Sequence, residues 1–232
     1  MRNGQLKPAY NVQISTNNQY IASCSIHQQT TETTTLIEHV SNHIQQTGTK
    51  LANITADAGY GSEQNYQWLE SKRIKAYVKH NQFDRQQNKN IASKKPYSPE
   101  NLVYDEQQDQ FICPMGKPMV NTGSYTRVTK AGYVQEYTRY EVESCKWCRL
   151  RQVCHGQKGN RVIEVNHNLR RLKGKANKRL KTPKGINNVN KDALTWNPCL
   201  PVSSIITSSS VLCSGELKNG SRNRFTCPGT QS

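Results

Sequence analysis

The chain has 232 residues, 34% of them hydrophobic, and its 32 Lys and Arg against 16 Asp and Glu give a net charge of +16. This length suffices for one or two domains with hydrophobic cores. The charge favours nucleic acid as the partner, with an anionic membrane surface as the alternative. No apolar run approaches the roughly 20 residues that a membrane-spanning helix needs, and the N-terminus lacks the apolar core of a signal peptide. We therefore expect a cytoplasmic protein without a membrane span.

The N-terminal part of the chain predicts alternating strands and helices. Apolar and polar residues alternate over 10–27 on both sides of a polar turn, which predicts a β-hairpin. Helical spacing of apolar residues over 30–47 predicts a helix that ends at Gly48. A second helix over 62–74 and a strand over 75–80 follow. With one more strand between the two helices, the order β-β-α-β-α-β predicts an α/β fold with a mixed sheet.

That additional strand ends at Asp57. The apolar run over 51–56 is closed by a turn that contains Gly59 and Gly61, and this pattern predicts a buried strand. Ser62, with an acid in the turn behind it, is a typical helix start. Asp57 is therefore expected at the carboxyl end of a strand, where open α/β sheets expose functional groups. Because one carboxylate does not make a catalytic site, a solvated turn aspartate is the alternative interpretation.

The middle of the chain predicts a small β unit with cysteines. Residues 83–100 are polar and interrupted by prolines, as in a linker, and 102–112 and 125–142 resemble short strands. Within this unit, the Cys145-Lys-Trp-Cys148 turn places two thiolates within reach of one tetrahedral Zn²⁺. So small a β unit also needs a covalent or metal cross-link for stability. The predicted zinc ligands are Cys113, Cys145, Cys148 and Cys154.

Other interpretations of these cysteines stay open. His155 is an alternative to Cys154 as the fourth ligand, and the thiols could instead form a redox pair or be unrelated to one another. Eight cysteines in a reducing compartment favour metal binding over disulfides. Cys113 has no second cysteine three residues further on to form a C-x-x-C pair, so the pattern is not that of a complete zinc ribbon.

A basic amphipathic helix is predicted after residue 166. Residues 161–184 contain nine basic residues and the single acid Glu164, and four small or apolar residues between 169 and 180 share one helical face. Cations on the other faces could follow DNA phosphates, although a merely solvated helix is the alternative. The candidate nucleic-acid-binding residues are Arg161, His167, Arg170, Arg171, Lys173, Lys175, Lys178 and Arg179.

Taken in order, several segments resemble the DDE transposases of bacterial insertion sequences, in particular those with a cysteine-bearing β insertion in an RNase H-like catalytic domain. The matching segments are LKPAYNVQIST, ADAGYGSEQNY, KAYVKHNQF, CPMGK, CKWCRLRQVCH and GNRVIEVNHNLRRLKGKA. They cover roughly residues 4–181, and the resemblance is specific because all six occur in the family's order. The resemblance implies DNA as the partner and DNA cleavage and strand transfer as the activity. It also allows assembly of identical chains.

The resemblance implies a two-Mg²⁺ mechanism in which three acids hold the ions. Asp57 matches the family's second acid, while the first acid belongs to a strand that would precede Met1. We therefore expect an N-terminally truncated fragment. The third acid should follow the basic helix, yet it is absent from residues 182–232, which show no clear periodicity and are expected to be disordered.

A frameshift would explain the missing acid. Residues 195–201 can be encoded by DNA that gives V-E-P-V-F-A when it is read from the third base of each codon, and V-E-P-V-F-A contains the acid that the family requires. We infer one frameshift upstream of Thr195 and a second near residues 219–222.

Together these observations predict four segments. They are a partial RNase H-like core over 1–82, a zinc-ribbon-like β insertion over 83–165, a basic helix that returns to the core over 166–181, and a disordered tail over 182–232. The functional prediction is a transposase fragment that has lost catalysis. The alternatives are a zinc-stapled DNA-binding module without catalysis and a non-functional remnant.

Overall fold

The computed structural model describes residues 11–17, 20–29, 31–88, 96–194, 207–208 and 213–216. The chain divides into two compact units. The first comprises Met1–Phe83 and Leu172–Ser232, and the second comprises Asp84–Arg171. Each unit is described by itself below.

The first unit begins with the predicted hairpin. Strands β1 (Asn11–Asn17) and β2 (Tyr20–His27) pair antiparallel, with Val12 opposite Ile26. Two further strands, β10 (Thr207–Ser208) and β11 (Cys213–Glu216), also pair with β1. The hairpin prediction is confirmed, and its alternating pattern is sufficient to explain the pairing.

Helix α1 (Leu36–Thr47) follows a short 3-10 helix (Glu32–Thr34) and confirms the predicted helix. Leu36 and Val40, one turn apart, are buried and anchor it. Gly48 ends the helix in the left-handed region with φ 62°, a conformation that glycine adopts without steric cost.

The predicted strand–helix–strand segment is also present. Strands β3 (Asn53–Ala56) and β4 (Lys75–Val78) pair parallel and are joined by helix α2 (Glu63–Ser71). The Ser62 hydroxyl caps α2 by accepting a hydrogen bond from the Asn65 amide at 3.2 Å. Tyr66 and Leu69 are buried, as their helical spacing predicts.

Helix α5 (His167–Leu180) confirms the predicted basic helix, and Leu172, Ala176 and Leu180 form its buried face. Helix α6 (Pro183–Leu194) corrects the prediction of a disordered tail from residue 182 onward, and strands β10 and β11 correct it further along. The local reason for α6 is its start: the Thr182 hydroxyl accepts a hydrogen bond from the Gly185 amide at 3.1 Å, and Pro183 is at the first helical position.

The second unit is a five-stranded antiparallel sheet in which the strands pair in chain order. These strands are β5 (Val103–Asp105), β6 (Gln110–Ile112), β7 (Pro118–Val128), β8 (Val134–Val142) and β9 (Val162–Val165). Its core contains Phe111, Met119, Tyr140 and Ile163, all buried. Strand β9 was not predicted, because it is only four residues long and Glu164 interrupts its apolar residues. Two short helices flank or interrupt these strands in the chain, namely α3 (Phe83–Gln87), whose first residue still belongs to the first unit, and α4 (Arg151–Cys154).

The mixture of helices, a parallel strand pair and antiparallel sheets confirms the α/β class. In the part of the chain that the structure describes, no helix has the length and hydrophobicity to cross a membrane.

Candidate functional site

Asp57 lies where the sequence predicts it, directly after the buried strand β3. Its backbone is extended, with φ −69° and ψ 171°, and its carbonyl oxygen accepts a hydrogen bond from the Tyr60 amide at 3.2 Å. The residue is partly exposed. Among the described residues, no three His, Cys, Asp or Glu side chains are grouped so that they could hold a metal ion. Asp57 is thus placed at the end of a strand without a carboxylate cluster around it.

The loop after Asp57 is fixed by contacts that the sequence pattern did not reveal. Tyr60 is fully buried, and its hydroxyl donates a hydrogen bond to the Gln13 side chain. The Thr33 hydroxyl donates to the Gly59 carbonyl at 3.0 Å. A Cβ atom on Gly59 would lie 1.9 Å from Oε2 of Glu32, so the carboxylate of Glu32 lies against this glycine. The loop conformation therefore depends on residues from two other segments, strand β1 and the 3-10 helix before α1.

A second set of predicted site residues comprises the cysteines of the β unit. Cys113 begins a tight turn: its amide donates to the Lys117 carbonyl at 2.8 Å, and the Gly116 amide donates to the Cys113 carbonyl at 2.9 Å. The Lys117 amide in turn points at Cys113 Sγ, 3.3 Å away. This turn therefore fixes the position of the Cys113 sulfur.

The three later cysteines belong to the same unit, yet among the described residues no three potential metal ligands, these cysteines included, are grouped so that they could hold a metal ion. Cys145 Sγ accepts a hydrogen bond from the Arg161 amide at 3.3 Å, and Cys148 follows in the turn that Cys145 opens. Burial raises the pKa of the Cys154 thiol, and the neighbouring Cys113 and Cys148 raise it further, whereas the Arg161 guanidinium lowers it. Cys113, Cys148 and Cys154 are thus close enough to influence one another electrostatically.

The structure corrects the prediction that Arg161 binds nucleic acid, because the residue is only 4% exposed. Its guanidinium donates to Cys154 Sγ at 2.7 Å and to the Tyr97 carbonyl. A buried guanidinium cannot reach a phosphate, and its charge requires a nearby anion. Arg161 therefore belongs to the cysteine cluster, and no periodicity in the sequence distinguishes it from the exposed cations.

His155 fits the ligand set less well than Cys154. Its Nδ1 accepts a hydrogen bond from the Gln157 amide at 3.3 Å, so in the neutral ring the proton lies on Nε2. A protonated Nε2 has no lone pair for a metal ion. Burial lowers the pKa of this imidazole, and Arg151 and Arg161 lower it further. Its Nε2 is buried and has no hydrogen-bond partner among the described residues, so His155 stays an alternative to Cys154 in the predicted ligand set.

None of Cys113, Cys145, Cys148 and Cys154 is in a disulfide. Cys24, in contrast, is disulfide-bonded, which is a correction to the expectation that metal binding would be favoured over disulfides.

Two of the candidate DNA-binding residues on α5 lie among aromatic rings. The guanidinium of Arg170 lies 5.0 Å from the Phe111 ring centroid and 5.6 Å from that of Tyr104. His167 contacts the same rings, and its Nε2 is 2.7 Å from the Tyr140 hydroxyl. Both side chains are only partly exposed. They connect the helix to the β unit's core through cation–π and ring contacts.

Sequence reasoning missed the hydrogen-bond network that holds His167. The Tyr140 hydroxyl donates to Asp109 Oδ1 at 2.6 Å, since a carboxylate can only accept, and His167 Nε2 must then donate to the Tyr140 oxygen. Hydrogen bonds from Tyr140, Asn121 and Tyr104 lower the pKa of Asp109. Burial lowers the pKa of His167, and the carboxylate of Asp109 opposes that effect. The partners of His167 come from three strands and one turn that are far apart in the chain, so no spacing in the sequence predicts the network.

The remaining predicted cations of α5 are at the surface. Arg171, Lys175 and Lys178 are exposed and recur at i, i+4 and i+7, so they form one stripe along the helix. Lys173 and Arg179 are partly exposed beside that stripe. Lys175 Nζ forms an ion pair with Glu70 Oε1 at 2.6 Å. The outer stripe of α5 (Arg171, Lys175 and Lys178) therefore presents positive charge to solvent.

Residues 112–198 match the family model described as the transposase DDE domain. This segment contains all four clustered cysteines, both α5 and α6, and the outer stripe, but not Asp57. Neither a curated protein nor a solved structure matches the chain.

The match supports the resemblance found in the sequence: residues 112–198 are similar to part of the DDE domain of transposases.

Proposed function

We propose that this chain is a DNA-binding fragment of a DDE transposase and that it does not catalyse strand transfer by itself. The observation that carries the proposal is helix α5, which buries Leu172, Ala176 and Leu180 and exposes the outer stripe. Such a helix is anchored on one side and presents cations on the other, and fixed cations displace the counterions condensed on DNA.

The geometry of the stripe suits a phosphate backbone. Its members are about one helical turn apart, on the order of 5 Å along the axis, so neighbouring cations of the stripe can contact the same phosphate backbone. The pairing of Lys175 with Glu70 does not exclude DNA contact, because an ion pair between half-exposed side chains contributes little free energy. A phosphate can therefore replace the carboxylate at low cost.

The proposal of lost catalysis rests on the surroundings of Asp57. The family's chemistry uses two Mg²⁺ ions to activate the attacking oxygen and to stabilise the leaving oxygen. Such ions dehydrate reluctantly and need several carboxylate oxygens. In the described ranges, the residues beside Asp57 do not fit this requirement, because no group of three potential ligands is found. We therefore propose no reaction step at this position.

The DNA-binding proposal is tested by removing charges from α5. The full chain carrying K175Q and K178Q is compared with the wild type by fluorescence anisotropy, using a labelled duplex over a series of salt concentrations. Each lost phosphate contact should reduce the slope of log K against log salt by about 1, so the double variant should lose about 2. The matched control is K50Q with K72Q, which removes two exposed charges elsewhere in the same unit.

An equal slope for wild type and K175Q/K178Q would refute the role of α5. Catalysis is tested separately with transposon-end DNA in Mg²⁺ or Mn²⁺, and we expect no cleavage or joined product. Turnover that Asp57→Ala abolishes would overturn the proposal of lost catalysis.

As a second candidate role, we propose that Cys113, Cys145, Cys148 and Cys154 come together on a structural Zn²⁺, which must draw them closer, because no three potential ligands among the described residues are grouped to hold a metal ion. Support comes from the two sulfurs that accept backbone amide hydrogen bonds and from the electrostatic proximity of the other thiols. Tetrahedral zinc with four cysteine ligands is a common structural site, and its ligands bind as thiolates.

Cobalt spectroscopy tests the zinc proposal, because Co²⁺ in a tetrahedral thiolate site gives a charge-transfer absorption in proportion to the number of sulfurs. We expect this absorption in the wild type and a weaker one in Cys148→Ser. The matched control is Cys227→Ser, in a cysteine outside the described residues. Equal spectra for the two variants would contradict the assigned ligands.

A cytoplasmic location and assembly of identical chains on DNA belong to the same proposal and follow from the family alone. Size-exclusion chromatography with light scattering, with and without duplex DNA, tests the assembly: one mass in both conditions, equal to a single chain, would remove it.

A further inference from the structure

The turn between Cys145 and Cys148 presents a tryptophan to solvent. The Cys148 amide donates a hydrogen bond to the Cys145 carbonyl at 3.3 Å, and Trp147 lies within the turn that this bond closes. Trp147 is 98% exposed. Large hydrophobic side chains stabilise a fold by leaving water, so a ring this exposed contributes almost nothing to the core of the second unit.

The backbone at Trp147 also disfavours a large side chain. Its φ of 58° lies in the left-handed region, which glycine and asparagine adopt more readily than a bulky residue does. The same turn would therefore form at lower cost with glycine at this position. Because the ring is exposed and its backbone conformation is unfavourable, the fold of the second unit does not require a tryptophan here. The indole is accessible to another molecule.

Three exposed cations accompany this ring. Lys146 and Arg149 lie one residue before and two residues after Trp147. Lys117 comes from the Cys113 turn, and its Nζ donates a hydrogen bond at 3.2 Å to the backbone carbonyl of Ser144. Among the described residues, none of the three cations forms an ion pair with a carboxylate. The tryptophan surface (Lys117, Lys146, Trp147 and Arg149) therefore combines an accessible ring with positive charge.

Nearby acids do not offset this charge. Residues 144–160 contain no Asp or Glu, and the nearest acid along the chain is the exposed Glu143 just before them. Thiolates among the cysteines would add negative charge, but the guanidinium of the buried Arg161 already donates to Cys154 Sγ at 2.7 Å. The three cations outnumber the single exposed acid, so the tryptophan surface attracts anions.

We propose that the tryptophan surface binds single-stranded DNA, with the indole of Trp147 stacked on an unpaired base and the three cations contacting phosphates of the same strand. This inference rests on the proposed function, namely that the chain binds DNA, and adds a contact surface separate from α5. Surfaces that bind single strands combine cations that follow the backbone with aromatic rings on which bases stack. Charge alone would also fit an acidic peptide, whereas the flat, fully accessible ring among the cations favours nucleic-acid bases.

The test measures the affinity of the full chain for a labelled thymidine strand of about 16 nucleotides, the upper end of common site sizes, and for the labelled duplex used with α5. W147G should bind the single strand roughly 5- to 150-fold more weakly with an unchanged salt slope, and bind the duplex like the wild type. W147F, which keeps a ring, should lose less. The matched control is V128S, at another exposed hydrophobic residue of the same unit, and it should bind like the wild type.

Two further measurements test the parts of the argument separately. K146Q/R149Q should reduce the salt slope for the single strand by about 1.4, or 0.7 for each phosphate contact, and the charge-retaining K146R/R149K should keep it. In thermal melts, W147G should unfold at the wild-type temperature or above it, because glycine suits the left-handed backbone. A melt well below that of the wild type would show that the ring stabilises the fold and would overturn the argument.

The outcomes separate this inference from the proposed function. If W147G binds the single strand like the wild type while K175Q/K178Q loses affinity for the duplex, the stacking proposal is wrong and the role of α5 stands. If the wild type binds neither DNA, both are wrong. Equal losses of W147G on strand and duplex would overturn the assignment to unpaired bases. An unchanged slope for K146Q/R149Q would overturn the phosphate contacts, and polyglutamate that binds the wild type as tightly as the strand does would assign the surface to an acidic protein instead.

Discussion

Acidification should destabilise the first unit through His39, which lies in the interface between the β1–β2 hairpin and helix α1. The residue is 1% exposed, and its Nε2 is 2.8 Å from the Ser15 hydroxyl. Its Nδ1 contacts the Ser25 hydroxyl. Burial, with additional repulsion from His27 and His43, lowers the pKa of His39 from 6.5 to about 3. Burial lowers the pKa of His43 as well. The interface therefore requires uncharged imidazoles.

The sign and size of the effect follow from linkage. Because the folded-state pKa of His39 is below its unfolded value, its contribution to stability is fully present above pH 6.5 and is lost as the pH falls toward about 3. At roughly 1.4 kcal/mol per pH unit, the loss reaches roughly 2–3 kcal/mol at about pH 4.5 and approaches 5 kcal/mol at about pH 3. A total stability of about 5–15 kcal/mol is typical, so the loss is large enough to measure.

Urea unfolding followed by circular dichroism between about pH 8 and pH 4 measures this loss. Below pH 6.5 the unfolding free energy of the wild type should decrease with a slope that corresponds to nearly one more proton bound by the unfolded state than by the folded state. Position 39 cannot be protonated in H39Q, so the pH dependence of its unfolding free energy should be flatter. If the unfolding free energies of the wild type and H39Q depend equally on pH, His39 is not the group responsible for the loss of stability. If H39Q does not fold, proton NMR of the wild type decides instead, since a His39 ring that titrates near pH 6.5 in the folded protein contradicts the burial argument.

Two further predictions concern the Asp57 loop and the tail. Gly61→Ala should destabilise the chain by about 1–3 kcal/mol, because a Cβ atom there would lie 2.4 Å from the backbone carbonyl oxygen of Lys79. Gly59→Ala, where the colliding atom is the end of the flexible Glu32 side chain, should cost less than Gly61→Ala; thermal melts that rank the two in the opposite order would contradict this. For residues 195–232, the gene should encode the missing acidic block in an alternative reading frame. A gene sequence without that block in any frame removes the frameshift hypothesis.

Local patterns in the sequence predicted much of the first unit. The hairpin, α1 with its glycine stop, β3 with Asp57 at its end and the apolar face of α5 were all expected. Each depends on spacing, a cap or a turn within about 20 residues, so the chain itself carries the information. Helix α6 was missed, although Thr182-Pro183 is a readable start, because polar residues in its sequence masked the periodicity.

The sites depended on contacts that no local pattern contains. The face of the hairpin that contacts α1 buries Ser15 and Ser23, because His39 and His43 of α1 offer them hydrogen-bond partners. Tyr20 and Ile26 of β2 are instead exposed. In the sequence, nothing distinguishes Arg161 from the other cations of the basic segment that it begins. Its burial follows from a thiol and a carbonyl that distant parts of the chain supply.

The sequence by itself determined the α/β class, the position of Asp57 after a strand and the amphipathic character of α5. It also indicated the resemblance to DDE transposases that the match over residues 112–198 supports, because the order of its motifs is a property of the chain. Only the tertiary structure decided which polar groups are buried and which cations remain accessible, and it alone showed that Trp147 is almost completely exposed. The physical reason is that desolvation and hydrogen bonding depend on neighbours brought together by folding, which the spacing of residues along one segment does not specify.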